Sequence, residues 1–90
     1  MSVRVKLPPI LQELSCGVET CEVTGYTVGE CIKSLEMRFP NIKNHLFDRQ
    51  GKLLHIFGIY LNSDGIHPVD LDTPVQDNDE IIILSFIAGG

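Results

Sequence analysis

The sequence closes on Ala88-Gly89-Gly90, directly behind an apolar run, Glu80-Ile81-Ile82-Ile83-Leu84-Ser85-Phe86-Ile87. Glycine has no Cβ, so two in succession can lie extended in a channel too narrow for any side chain. A carboxylate on Gly90 is unreactive toward nucleophiles as it stands. Joined to AMP, it becomes an acyl donor that a thiol, a persulfide or an amine can attack. The chemistry open to this ending is therefore acyl transfer at Gly90, with Gly89 and Ala88 slim enough to thread into another enzyme's active site. Small, polar chain ends are also common in termini with no role, so the rest of the sequence has to discriminate.

The other candidate groups point to less. The acidic stretch Asp70, Asp72, Asp77, Asp79 and Glu80 lacks the loop spacing and central glycine of an EF-hand and reads as a solvated, turn-forming segment. His45, His55 and His67 are too far apart in sequence to define a metal site or a general base, and no triad follows from them. Cys16, Cys21 and Cys31 are odd in number and contain no C-x-x-C pair, which argues against a disulfide framework or a closed zinc site and for reduced thiols. Cys31 falls on an apolar helical stripe and reads as a small buried hydrophobe. Cys16 and Cys21 have no nearby basic residue to favour a thiolate. The expectation is no catalytic residue, no metal and no bound cofactor.

With 90 residues, 43% hydrophobic and 21% charged, the composition is that of one soluble globular domain with a small core. No apolar stretch approaches the roughly 20 residues of a membrane span, and Met1 to Leu7 alternates like a strand, unlike a signal peptide. A cytoplasmic protein without membrane contact is expected. A net charge of −5, with seven scattered Lys and Arg, excludes nucleic acid as a natural partner and favours a basic protein.

Val3, Val5 and Leu7 share one face of a first strand that Pro8-Pro9 ends. Ile10 to Gly17 reads as a loop, and Thr20 to Thr24 as a second strand, antiparallel to the first. Thr27 and Glu30 form a capping box for one amphipathic helix carrying Val28, Cys31, Ile32, Leu35 and Phe39, stopped by Pro40. Asn41 to Lys52 is polar around Leu46 and Phe47. Leu53 to Asn62 reads as the third and longest strand, followed by an Asn62-Ser63-Asp64-Gly65 turn and a short return strand at Ile66-His67. A single helical turn is expected around Thr73-Pro74, then a turn at Gln76 to Asp79 into the last strand. That strand is apolar on both faces, which predicts a central position parallel to the first. The order is that of an α+β β-grasp, a mixed sheet with one main helix on one face. Phe57, Ile59 and Leu61 are assigned to the core. Ile56 and Tyr60 would join Ile82, Leu84 and Phe86 as an apolar partner surface on the uncovered face.

In this order, the opening strand Val3-Arg4-Val5, the helix from Thr27 to Phe39-Pro40, Ile59-Tyr60-Leu61-Asn62, Asp77-Asn78-Asp79-Glu80 and Ala88-Gly89-Gly90 resemble the ubiquitin-like sulfur carriers of the MoaD, ThiS and CysO type. Gly51-Lys52-Leu53 through Asn62, with the extended early loop, is most similar to the CysO-type carriers of cysteine biosynthesis. Two positions depart from the family pattern: Ser85-Phe86, where proline often precedes the tail, and Gly58 inside the third strand. The resemblance implies a β-grasp domain over residues 1–87 and a flexible reactive tail over 88–90. It also implies an E1-like adenylyltransferase that uses ATP to activate Gly90, and a sulfur donor that converts it to a thiocarboxylate. The chain would carry that covalent sulfur to an accepting biosynthetic enzyme, in a cysteine, molybdopterin (molybdenum cofactor) or thiamine type of pathway. It would be a co-substrate rather than an enzyme, and a monomer when free. Two other readings share the sequence: a ubiquitin-like modifier conjugated through Gly90, and a β-grasp interaction module with an inert tail.

Overall fold

The computed structural model describes residues 2–62 and 67–86. Strand β1 (Ser2–Lys6) buries Val3 and Val5 completely and pairs antiparallel with β2 (Thr20–Thr24), Val3 opposite Val23 and Val5 opposite Cys21. The chain between them is not a loop. Pro9 opens a short helix, α1 (Pro9–Gln12), and a 3-10 turn follows over Glu13–Ser15. A proline in the first helical turn forgoes an N–H that the helix does not use, so the pair that ends β1 also starts α1. Leu11 is buried here, and the buried Ser15 hydroxyl is satisfied by the carbonyls of Gln12 and Val18.

The main helix, α2 (Val28–Arg38), begins as the capping box predicts, with one difference. Thr27 Oγ1 accepts the Glu30 N–H at 3.1 Å, while the Glu30 carboxylate accepts the N–H of Tyr26, one residue before the cap. Two further amides of the first turn are taken by the segment before β4: Val28 N–H by the Thr73 carbonyl at 2.9 Å and Gly29 N–H by that of Leu71 at 2.7 Å. The expected helical turn around Thr73-Pro74 is therefore absent. The segment makes a tight turn from Asp70 to Thr73, pairs Pro74 with Thr27, and gives its carbonyls to α2. Thr27→Ala is expected to lower stability by about 1 kcal/mol, read as an earlier urea midpoint with an unchanged slope.

Pro40, which stops α2, also caps α3 (Asn41–Leu46), a helix not expected from the polar composition of this stretch. Ile42 and Leu46, four residues apart, are both fully buried and anchor it. The third strand is shorter than Leu53 to Asn62: β3 is Phe57–Leu61. Leu53 pairs instead with Phe47, Leu54 N–H bonds the Leu46 carbonyl, and a turn at His55-Ile56 leads into β3. The longest strand is β4 (Glu80–Ser85).

The sheet order is β2-β1-β4-β3, with β4 central, parallel to β1 and antiparallel to β3, as its two-faced apolarity predicts. Val28, Cys31, Ile32 and Leu35 of α2 close the core over Val3, Val5, Phe57, Ile59, Ile81 and Ile83. Leu61 is half-buried at its margin. Along β2 the edge is capped from α2, because Ser34 donates its hydroxyl to the Thr24 carbonyl at 2.7 Å and Arg38 a guanidinium N–H to that of Glu22 at 3.2 Å. Asn62 takes a left-handed conformation, as a turn asparagine can. The rest of that turn, Ser63 to Gly65, lies outside the described residues, as does Ile66 of the expected return strand, and His67 stands in a bend. Among the described residues no helix is long and apolar enough to cross a membrane.

Candidate tail base and outer sheet face

Side chains alternate across β4, so Ile81 and Ile83 enter the core while Ile82 and Leu84 point to the face that α2 does not cover. The register sets Tyr60 opposite Ile82 and Gly58 opposite Leu84. One rung further, the Phe86 N–H donates to the Ile56 carbonyl at 2.6 Å. Leu84 is 43% exposed and Phe86 55%, with Ile56 also exposed and Tyr60 and Ile82 half-buried. The five candidate surface residues thus lie on adjacent strands and at their common end. The β1 and β2 half of the same face is polar. Exposed Arg4 stands in register between Glu22 and Glu80, and Lys6 stands beside Ile82, a charged border that sequence reading did not single out.

Phe86 is the last described residue, so Ala88, Gly89 and Gly90 lie outside the described residues. What the structure gives is the point from which they continue, at the end of the central strand and on the margin of the apolar surface.

The remaining candidates are not assembled into a site. Cys21 and Cys31 are buried and Cys16 is exposed. Burial pushes the Cys31 thiol up, keeping it neutral. Cys21 does have a basic neighbour, which the sequence spacing concealed: Arg38 reaches its sulfur at 3.1 Å. His45 bonds the Asn41 carbonyl within α3, and His55 and His67 are separate and exposed. Among the described residues no three metal-ligating side chains converge. The carboxylates tie turns: Asp77 accepts the Ser2 N–H, and Asp79 accepts from the Gln76 N–H and the Asn62 amide. A groove of about 350 Å³ lies on the helix side, against Ile32, Lys33, Glu36, Lys43 and Phe47. Partial burial raises the Glu36 pKa there, opposed by Lys43 and Lys33. Because α2 and α3 form its wall, the groove does not join the outer sheet face.

Among the described residues, a mixed four-stranded sheet with its last strand central and one long helix across one face defines the ubiquitin-like β-grasp class. The chain belongs to the ThiS family, whose model matches residues 5–90. It is 33% identical to the sulfur carrier protein CysO of Mycobacterium tuberculosis over 93 residues, covering all of both chains. It is also similar to a solved structure of the Amycolatopsis orientalis BexX/CysO complex, at 34% identity and a TM-score of 0.84 over 98% of this chain and 99% of that one. The small archaeal modifier protein 1 of Methanosarcina acetivorans is likewise similar, at 30% identity and a TM-score of 0.84 over 99% and 96% of the two chains.

Proposed function

We propose that the chain is a sulfur carrier that works through its last residue. An E1-like adenylyltransferase docks on the apolar surface of Ile56, Tyr60, Ile82, Leu84 and Phe86 and admits the tail, Ala88 and Gly89 lying in its channel. A Gly90 carboxylate oxygen attacks the α-phosphorus of ATP and pyrophosphate leaves. Hydrosulfide from a sulfur donor then attacks the acyl carbon, AMP departs with loss of a proton, and Gly90 ends as a thiocarboxylate. That group is anionic and nucleophilic at neutral pH, so an accepting biosynthetic enzyme can take the sulfur from it. The protein is then a co-substrate of ATP-using cytoplasmic enzymes, and the CysO likeness favours cysteine biosynthesis as its destination.

The observation that carries this reading is the end-to-end likeness to CysO carriers, spanning the whole of both chains. A second reading, a modifier joined through Gly90 to a lysine, draws on the likeness to an archaeal modifier protein. Both begin with the same adenylate and differ in the nucleophile that resolves it.

Mass spectrometry of the C-terminal fragment, from protein isolated gently from its native cells, tests the proposal. Exchange of one oxygen for sulfur adds about 16 Da, nearly the mass of one oxidation of Met or Cys, so the shift has to be localised to Gly90. Sulfur on Gly90 is the expected result. A Gly90 found only in isopeptide linkage to lysine supports the modifier instead, and an unmodified Gly90 inert to ATP and native-cell extract supports an interaction module.

A further inference from the structure

Gly58 and Phe86, the two departures from the family pattern, meet in space. A Cβ at Gly58 would lie 2.9 Å from Cε2 and 3.0 Å from Cζ of Phe86, and 2.9 Å from Cε1 of Tyr60. Non-bonded carbons pack at about 3.5 to 4.0 Å, so the Phe86 ring fills the space an ordinary side chain would need. Because Gly58 is directly opposite Leu84, the ring reaches it as the diagonal neighbour across the strand pair. The backbone holds the same residue through the 2.6 Å bond to Ile56. A glycine inside a strand weakens it, and an aromatic ring laid over the glycine compensates. A residue that served only as a docking contact would need neither the bare backbone beneath it nor the extra rung.

We infer that Gly58, Tyr60 and Phe86 form a seat that fixes where the sheet ends and in which direction the chain leaves it, making Phe86 a positioning residue for chemistry at Gly90. Four residues carry the chain from Phe86 to Gly90, at most about 14 Å when extended. With so few residues beyond it, the place where Phe86 is held bounds the region that Gly90 can reach. The seat stands independently of the proposed function; only its consequence for Gly90 rests on that reading.

The test compares wild type, Gly58→Ala, Phe86→Ala and the double variant by two measurements. NMR of the full chain gives amide exchange at Phe86 and the proximity of its ring to the Gly58 Hα protons. ATP–pyrophosphate exchange in native-cell extract, titrated with each variant, separates plateau rate from half-saturation. In Gly58→Ala the Phe86 amide is expected to exchange about tenfold faster, as a local opening. The plateau rate should fall about tenfold through misplacement of Gly90, while half-saturation, which also feels the displaced Phe86 ring, reads docking separately. Phe86→Ala, which removes an exposed ring and leaves β3 unchanged, should expose the same amide. Adding Gly58→Ala to it should cost less than Gly58→Ala alone, since the two share the Phe86 contact and only that with Tyr60 is left. Unchanged Phe86 exchange in Gly58→Ala or in Phe86→Ala would overturn the seat. Faster exchange with a full plateau would overturn its positioning role. If wild type itself supports no pyrophosphate exchange and carries no sulfur, the carrier reading fails, while the NMR measurements still decide whether the seat exists.

Discussion

Gly89→Val is expected to reduce ATP–pyrophosphate exchange by about 100-fold or more, the scale of loss when a reacting group is held out of place, while the thermal midpoint stays at the wild-type value. The two outcomes separate because, among the described residues, the buried core runs from Val3 to Ile83, and position 89 follows the last of these by six residues in sequence. Valine carries two methyl groups on Cβ with one strongly preferred rotamer, and cannot shed them to pass a channel shaped for bare backbone. Gly90→Ala should also impair activation, by crowding the carbon next to the reacting carboxylate. Normal adenylation of both variants would sink the assignment of Gly90 as the acyl centre, whatever the fold resembles.

A second large effect is expected from two neighbours on one strand. Leu84→Glu sets a charge on the outer face, where Leu84 is 43% exposed, and Ile83→Glu sets one in the core, where Ile83 is 1% exposed. Glutamate at 84 should leave the chain folded and weaken docking to the activating enzyme by about 30-fold, equivalent to about 2 kcal/mol for a central apolar contact. Glutamate at 83 should unfold the protein, because an unpaired charge in the core costs several kcal/mol against a total stability of about 5 to 15 kcal/mol. Circular dichroism and the half-saturation of pyrophosphate exchange read the two effects separately. A folded Leu84→Glu variant with unchanged half-saturation would show that this surface is not where the activating enzyme docks.

Periodicity made the framework legible. Val3, Val5, Cys21 and Val23 alternate, α2 repeats its apolar residues at helical spacing behind Thr27, and the final strand is apolar on both faces. These signals yield the pairing, the cap and the central position of β4. The differences have separate causes. Pro8-Pro9 and Pro40 read as stops in the sequence, yet proline is equally suited to begin a helix, and α1 and α3 start there. The Ile42 and Leu46 spacing that marks α3 is too short a run to stand out from polar neighbours. Leu53 and Leu54 have strand composition, but they pair with Phe47 and Leu46, which no local pattern reveals. Around Thr73-Pro74, carbonyls that a local helical turn would use are claimed by α2, a tertiary demand. At the candidate site, alternation was enough to assign the outer face. The contact between Gly58 and Phe86 was visible only as two separate oddities, because their meeting depends on strand register.

The first-turn amides of α2 have a consequence for the division of labour between this chain and its partners. An uncovered helix start is a ready cradle for phosphate oxygens. Here Val28 and Gly29 are bonded to Thr73 and Leu71, and Glu30 to Thr27, so those donors are already spent within the fold. A triphosphate approaching this helix would meet satisfied backbone and the Glu30 carboxylate, inside a protein of net charge −5. Under the proposed function, recognition of the nucleotide is then left to the activating enzyme. On that reading the chain contributes a docking shape and the acyl group, and the only cargo it would hand on is the sulfur carried on Gly90.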